Sequence, residues 1–399
     1  MPAINMPQFP VGAVYFRKSN PPEEDWERDY KTASDDGMNI FRHWFLWGAI
    51  EVAPGVFDWD DYDKQLELSA KYNIRTIIAE QLSAPEWIYQ MYPDAYHITA
   101  DDKKIYSQMS ASCVTGFGSV CLDNPVVMQR AEYFLSELSK RYRGHPGLLG
   151  YDVQNEFHYM RDCFCESTKA RFRSWLIKKY ATLEQVARAW KRFSYTDISQ
   201  VMPPRILGPY PECLDWLNFR KDNFYNTVQW KIDIIKKHDP DCLITGHGEA
   251  SHLNNFTLSG SDEWRAAEKV ELYGMTFVQE RHGTEAWRQL HCADIVRAGS
   301  RGKPWWHSEF QGGHVWINPF GHTKLKQRAK YDARMVKPED ISKYYNDKKE
   351  SFKAPLKHRV QYLAENLSAE KAETPEKETA ERPAIKISSF FILNPNSRC

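Results

Sequence analysis

The segment 147–156, Gly-Leu-Leu-Gly-Tyr-Asp-Val-Gln-Asn-Glu, limits the fold more than any other stretch. Its run from Gly147 to Val153 is apolar in character and ends abruptly in an amide and a carboxylate, Asn155 and Glu156. Tyr and Val favour a pleated, buried segment. Asn and Glu at its last two positions would be costly in a core unless paired. A strand that delivers polar groups at its end suits a barrel of parallel strands, whose active face is built from the C-terminal strand ends. On Glu156 alone, a capping box or a surface salt bridge explains the pattern as well.

A second stretch shifts that balance. Lys303-Pro304-Trp305-Trp306-His307-Ser308-Glu309-Phe310-Gln311-Gly312-Gly313 is again a short apolar run ending in Glu. With two strands ending in glutamates, the chain resembles glycoside hydrolase family 42, a β-galactosidase family of a retaining clan. In that family an Asn-Glu pair closes strand four of an eight-stranded barrel and a lone Glu closes strand seven. The resemblance runs from Phe9 to Gly313. It implies a (β/α)8 TIM barrel of class α/β, Glu156 as general acid/base, Glu309 as nucleophile and Asn155 on the 2-hydroxyl of the sugar. Mutual repulsion and partial burial of such a pair would raise one pKa, so that one carboxyl stays protonated near neutral pH.

The chain has 399 residues, enough for one barrel of about 250 residues or more with an appendage. Its 53 Lys plus Arg balance 53 Asp plus Glu, so charge gives no reason to expect nucleic acid or an anionic membrane as partner. A polar small molecule fits better, and the resemblance implies a carbohydrate. The many aromatic residues, 14 Trp and 21 Tyr among them, suit sugar rings, although most serve equally well as core. The start, Met1-Pro2-Ala3-Ile4-Asn5-Met6-Pro7, is not a basic stretch followed by an apolar run, and no apolar stretch approaches membrane-spanning length. A cytoplasmic protein is the expectation.

Taken in order, the sequence alternates strand and helix. Strands are expected at 11–16, 39–46, 75–81, 147–153, 241–246, 270–277 and 303–309, with helices at 25–37, 60–72, 125–143, 169–180, 183–191, 213–237 and 285–298. Such alternation argues for a parallel sheet with helices around it. Arg42 lies inside an apolar strand and needs a carboxylate or sugar hydroxyl as partner. It is a candidate for orienting Glu309; a core bridge to Asp35 or Asp36 is the alternative.

Residues 1–323 form the expected catalytic barrel domain. From 324 to 399 the chain is rich in Lys, Glu, Asp and Ala, and reads as a charged, helical or disordered extension. The family's strand eight is not found where it should follow the nucleophile. Only 385–393 looks like a strand. Either it closes the barrel from far along the chain, or the barrel has an incomplete eighth strand and a divergent or truncated C-terminal part. The family's later domains, one of which mediates a homotrimer, are not recognised.

Eight cysteines are too sparse for a disulfide framework. Cys163 and Cys165, with Cys121 earlier, resemble the family's zinc-binding cysteines. Thr168 replaces the last one, leaving three sulfurs where a structural zinc takes four ligands. His158 and Cys113 are candidate substitutes, but free buried cysteines are the simpler account. No organic cofactor is expected. Trp47, Trp306 and His307 are candidate substrate-binding residues, as are Trp305 and His247, each explained equally well by packing. The family's arginine before the first cluster cysteine is absent: Gly118-Ser119-Val120 stand there. The expected function is retaining hydrolysis of terminal β-D-galactosyl or related β-linked residues. The alternatives are a related β-glucosidase or β-mannosidase, or an inactive sugar-binding relative.

Overall fold

The computed structural model describes residues 6–7, 9–16, 21–79, 81–105, 120–157, 162–248, 261–278 and 286–311. These residues fall within one compact unit. The expected extension at 324–399, the strand at 385–393, Cys113 and His158 lie outside them.

Seven parallel strands pair in chain order: β1 (Gly12–Val14), β2 (Ile40–Trp44), β3 (Arg75–Ala79), β4 (Leu148–Asp152), β5 (Leu243–Gly248), β6 (Leu272–Val278) and β7 (Trp305–Gln311). Each pairs with the next, as expected for a nearly closed barrel of right-handed strand and helix units. Several of the helices begin where the sequence supplies a side-chain cap. In α3 (Pro125–Tyr142), which follows α1 (Glu23–Asp35) and α2 (Asp60–Lys71), the Asn124 side chain accepts from the backbone N–H groups of Val126 and Val127, and Pro125 opens the first turn. Helices α4 (Glu166–Tyr180), α5 (Leu183–Trp190) and α6 (Tyr210–His238) follow β4, and α7 (Glu263–Lys269) and α8 (Ala286–Ser300) flank β6. Among the described residues, no helix is long and apolar enough to cross a membrane.

The barrel interior is closed by one side chain from each of β2 to β7: Ile40, Ile77, Leu149, Leu243, Leu272 and Trp306. Burying side chains of this size stabilises by about 1.5–3 kcal/mol each. Strand residues alternate between this interior and the helix layer, and two register shifts break the alternation. In β4 the shift falls at Leu149, so that Tyr151 packs with the helix layer while Asp152 turns inward. In β7 it falls at Ser308, opposite Met275 and Thr276. Trp306 and Glu309 are three residues apart, yet both face inward. Bulges of this kind re-aim side chains beside active sites.

Candidate active site

Arg42, on β2, is the hub of the cluster at the C-terminal ends of the strands. Its guanidinium donates through Nε to Asp152 Oδ2 at 2.8 Å, through NH1 to Glu309 Oε1 at 2.6 Å and through NH2 to Asn155 Oδ1 at 2.7 Å. The planar fork of arginine suits such a three-way contact. The alternative partners Asp35 and Asp36 are not used in it; Asp35 instead pairs with Lys31 on the surface. Arg42 and Asp152 are fully enclosed, whereas Glu309 is 24% exposed. The nucleophile candidate is therefore the open end of a buried ionic chain.

The pairing of the end of β4 with β5 continues beyond Asp152 on both sides of Glu156. Val153 N donates to Thr245 O, and Phe157 N to His247 O. Between these bonds Glu156 takes a left-handed backbone, φ 49°, and its side chain is buried. A glutamate in that conformation is uncommon, and such strain gathers at functional sites. The long helix α6 supports the turn from behind: Lys231 Nζ donates to Val153 O and, at 3.0 Å, to Gln154 Oε1.

One residue of this cluster, Asp152, was not singled out by the sequence reading. Asp152 accepts from Arg42 and pairs with His247 Nδ1 at 3.1 Å. Burial alone would raise the Asp152 carboxyl, but the Arg42 guanidinium and His247 outweigh it and hold it below the usual carboxylate range. His247, weighed above as packing or subsite, sits with Nε2 4.0 Å from Glu309 Oε1. The signal for Asp152 was the one used for Arg42, a charge within an apolar strand.

The aromatic candidates lie elsewhere. Trp47 is wholly buried, stacked on Phe134 with centroids 5.7 Å apart and donating to Glu51 Oε2 at 2.5 Å. Trp306 belongs to the barrel interior, and Trp305 to the layer beneath the helices. His307 lies between the rings of Trp305 and Phe310, and burial pushes it down to about 4. Among the described residues, these side chains pack in the core.

Cys121, Cys163 and Cys165 do converge, their sulfurs within 4.8 Å of one another and all buried. Thr168 Oγ1 stands 3.3 Å from both Cys121 Sγ and Cys165 Sγ, and donates to Asp123 Oδ2 at 2.6 Å. Asp123 in turn accepts from Asn223 Nδ2 at 2.8 Å. The cluster thus offers three cysteine sulfurs, and the neutral hydroxyl beside two of them is already engaged with a carboxylate. That set is one thiolate short of the all-sulfur structural site.

The sequence model of glycoside hydrolase family 42, described as Beta-galactosidase, matches residues 15–335. A β-galactosidase of Halorubrum lacusprofundi is 26% identical over 333 residues, covering 76% of this chain and 45% of that protein. One of Geobacillus kaustophilus is 25% identical over 313 residues, covering 74% and 43%. The chain thus spans less than half the length of these relatives. Among solved structures, the β-galactosidase of Bacillus circulans sp. alkalophilus superposes with a TM-score of 0.64 at 20% identity, covering 76% of this chain and 45% of that one, a likeness of fold. With the match spanning most of the barrel and both glutamate strands, this chain belongs to glycoside hydrolase family 42.

Proposed function

We propose that this chain is a retaining glycosidase that releases terminal β-D-galactosyl residues from oligosaccharides by double displacement. The observation that carries the reading is the Arg42 fork, which joins Glu309 at the end of β7 to Asn155 beyond the end of β4. Glu309 attacks the anomeric carbon while Glu156 gives its proton to the leaving oxygen. Water then attacks the glycosyl ester, with Glu156 taking the proton back and Glu309 leaving as carboxylate. Arg42 keeps Glu309 aimed. Because Asn155 Oδ1 is taken by Arg42, its amide has its NH2 end left to donate to the 2-hydroxyl of the sugar, a contact that strengthens in the transition state.

No step needs an organic cofactor, and the cysteine cluster stands apart from the Arg42 fork as a structural element. The test is a panel of aryl β-glycosides with the product anomer read by NMR. Preference for the galactoside with release of the β-anomer supports the reading. Preference for glucoside or mannoside revises the sugar, an α-anomer overturns retention, and binding without turnover makes the chain a sugar-binding relative.

A further inference from the structure

We propose that Asp152 is a positioning residue that acts through Arg42 on both Glu309 and Asn155; this rests on the reading of Glu309 as nucleophile. A guanidinium is rigid and planar, so fixing Nε fixes where NH1 and NH2 point. Asp152 Oδ2 holds Nε at 2.8 Å, and the two remaining nitrogens reach Glu309 Oε1 at 2.6 Å and Asn155 Oδ1 at 2.7 Å. One buried carboxylate therefore sets the orientation of two groups that act on the sugar.

The carboxylate is itself held. His247 Nδ1 lies 3.1 Å from the same Oδ2, and the backbone N–H of Gln154 donates to Oδ1 at 3.3 Å. The bulge at Leu149 is what turns Asp152 inward at all. Its backbone is anchored independently of the carboxylate: Gln81 Nε2 donates to Asp152 O and to Ile78 O, both at 2.8 Å. The side chain can thus change while the strand end stays in place.

The experiment uses a dinitrophenyl fluoro-β-galactoside, whose fluorine slows breakdown of the glycosyl-enzyme, and measures its binding constant and its trapping rate at saturation separately. The wild type should be labelled on Glu309, found by mass spectrometry of the peptides. Asp152→Asn should bind the probe within about threefold of the wild type and be trapped about a hundredfold more slowly, the size of effect a misplaced reacting group produces. Trapping at the wild-type rate, or a loss confined to binding, overturns the proposal.

A second comparison stands even where Asp152→Asn alone leaves the buried guanidinium too poorly compensated to fold. Because Asp152 acts through Arg42, the double variant Asp152→Asn with Arg42→Gln, which removes both charges, should be trapped within about threefold of Arg42→Gln alone. A further loss of about a hundredfold in the double variant overturns the proposal. A wild type labelled at another residue, or at none, overturns the nucleophile reading, and is told apart from the other results because it needs no variant.

Discussion

Arg42 NH1 lies 2.6 Å from Glu309 Oε1, a contact between strands β2 and β7 that joins residues 267 positions apart in the chain. The arginine is completely buried and the glutamate is not, so the guanidinium is the fixed partner and the carboxylate the adjustable one. Arg42→Lys keeps the charge but offers one ammonium in place of a planar fork with three engaged nitrogens. A lysine cannot serve Asp152, Glu309 and Asn155 with that geometry. Turnover of an aryl galactoside should fall about a hundredfold. Wild-type turnover in a folded Arg42→Lys protein would show that charge alone suffices.

In the proposed mechanism one glutamate attacks and the other moves a proton, so the two should fail in different ways. Glu309→Ala removes the nucleophile, so turnover should vanish for every leaving group. Glu156→Ala removes proton transfer, worth about a hundredfold to ten-thousandfold. A dinitrophenyl galactoside needs no such proton, and should still form the covalent intermediate. Azide should then restore turnover and give the β-galactosyl azide. Equal loss in both variants with every substrate, and no azide product, would show the roles to be misassigned.

Seven strands and most of the helices around them were legible because each shows its own period and its own punctuation; α7 was not expected, being only seven residues long. Asn124-Pro125 opens α3 as a cap and first-turn proline should, and Ile40 to Trp44 reads as a buried strand. The pairing of Arg42 with Glu309 was legible, because in both stretches a polar group interrupts an apolar run. Asp152 escaped because its meaning depends on the bulge at Leu149, and a shift of one residue decides which face a side chain takes. Trp47 and Trp306 were candidates on chemistry alone. Whether an indole faces sugar or core depends on the neighbours that the fold brings, here Phe134 for one and the barrel interior for the other.

His43, behind the barrel, gives a pH dependence of stability. Phe16 N donates to its Nδ1 at 3.1 Å, its Nε2 meets Tyr30 Oη at 2.9 Å, and burial pushes its pKa down to about 3. The unfolded value is about 6.5, so the unfolded chain takes up this proton first as pH falls. The contribution is complete above about pH 6.5 and declines from there toward about pH 3, by about 1.4 kcal/mol per pH unit. His43→Asn supplies an amide oxygen for Phe16 N and cannot titrate. Urea unfolding followed between about pH 6 and about pH 4 should show a shallower slope in this variant, by about one proton. An identical slope in both proteins would mean that His43 already carries its charge in the fold.

Thr168 sets what the cysteine cluster can hold. Its hydroxyl lies 3.3 Å from two of the sulfurs and donates to Asp123. A neutral oxygen adds less to a soft divalent cation than a thiolate does, and metal binding is folding free energy only to the extent that the ligands are strong. The wild type purified without added metal should therefore carry far less than about one zinc per chain, with a Tm indifferent to chelator. Thr168→Cys completes four sulfurs on the same scaffold. It should retain about one zinc per chain, and chelation should lower its Tm. Stoichiometric zinc in the wild type, with a Tm that drops on chelation, would show instead that the Thr168 oxygen, backed by Asp123, is a sufficient fourth donor.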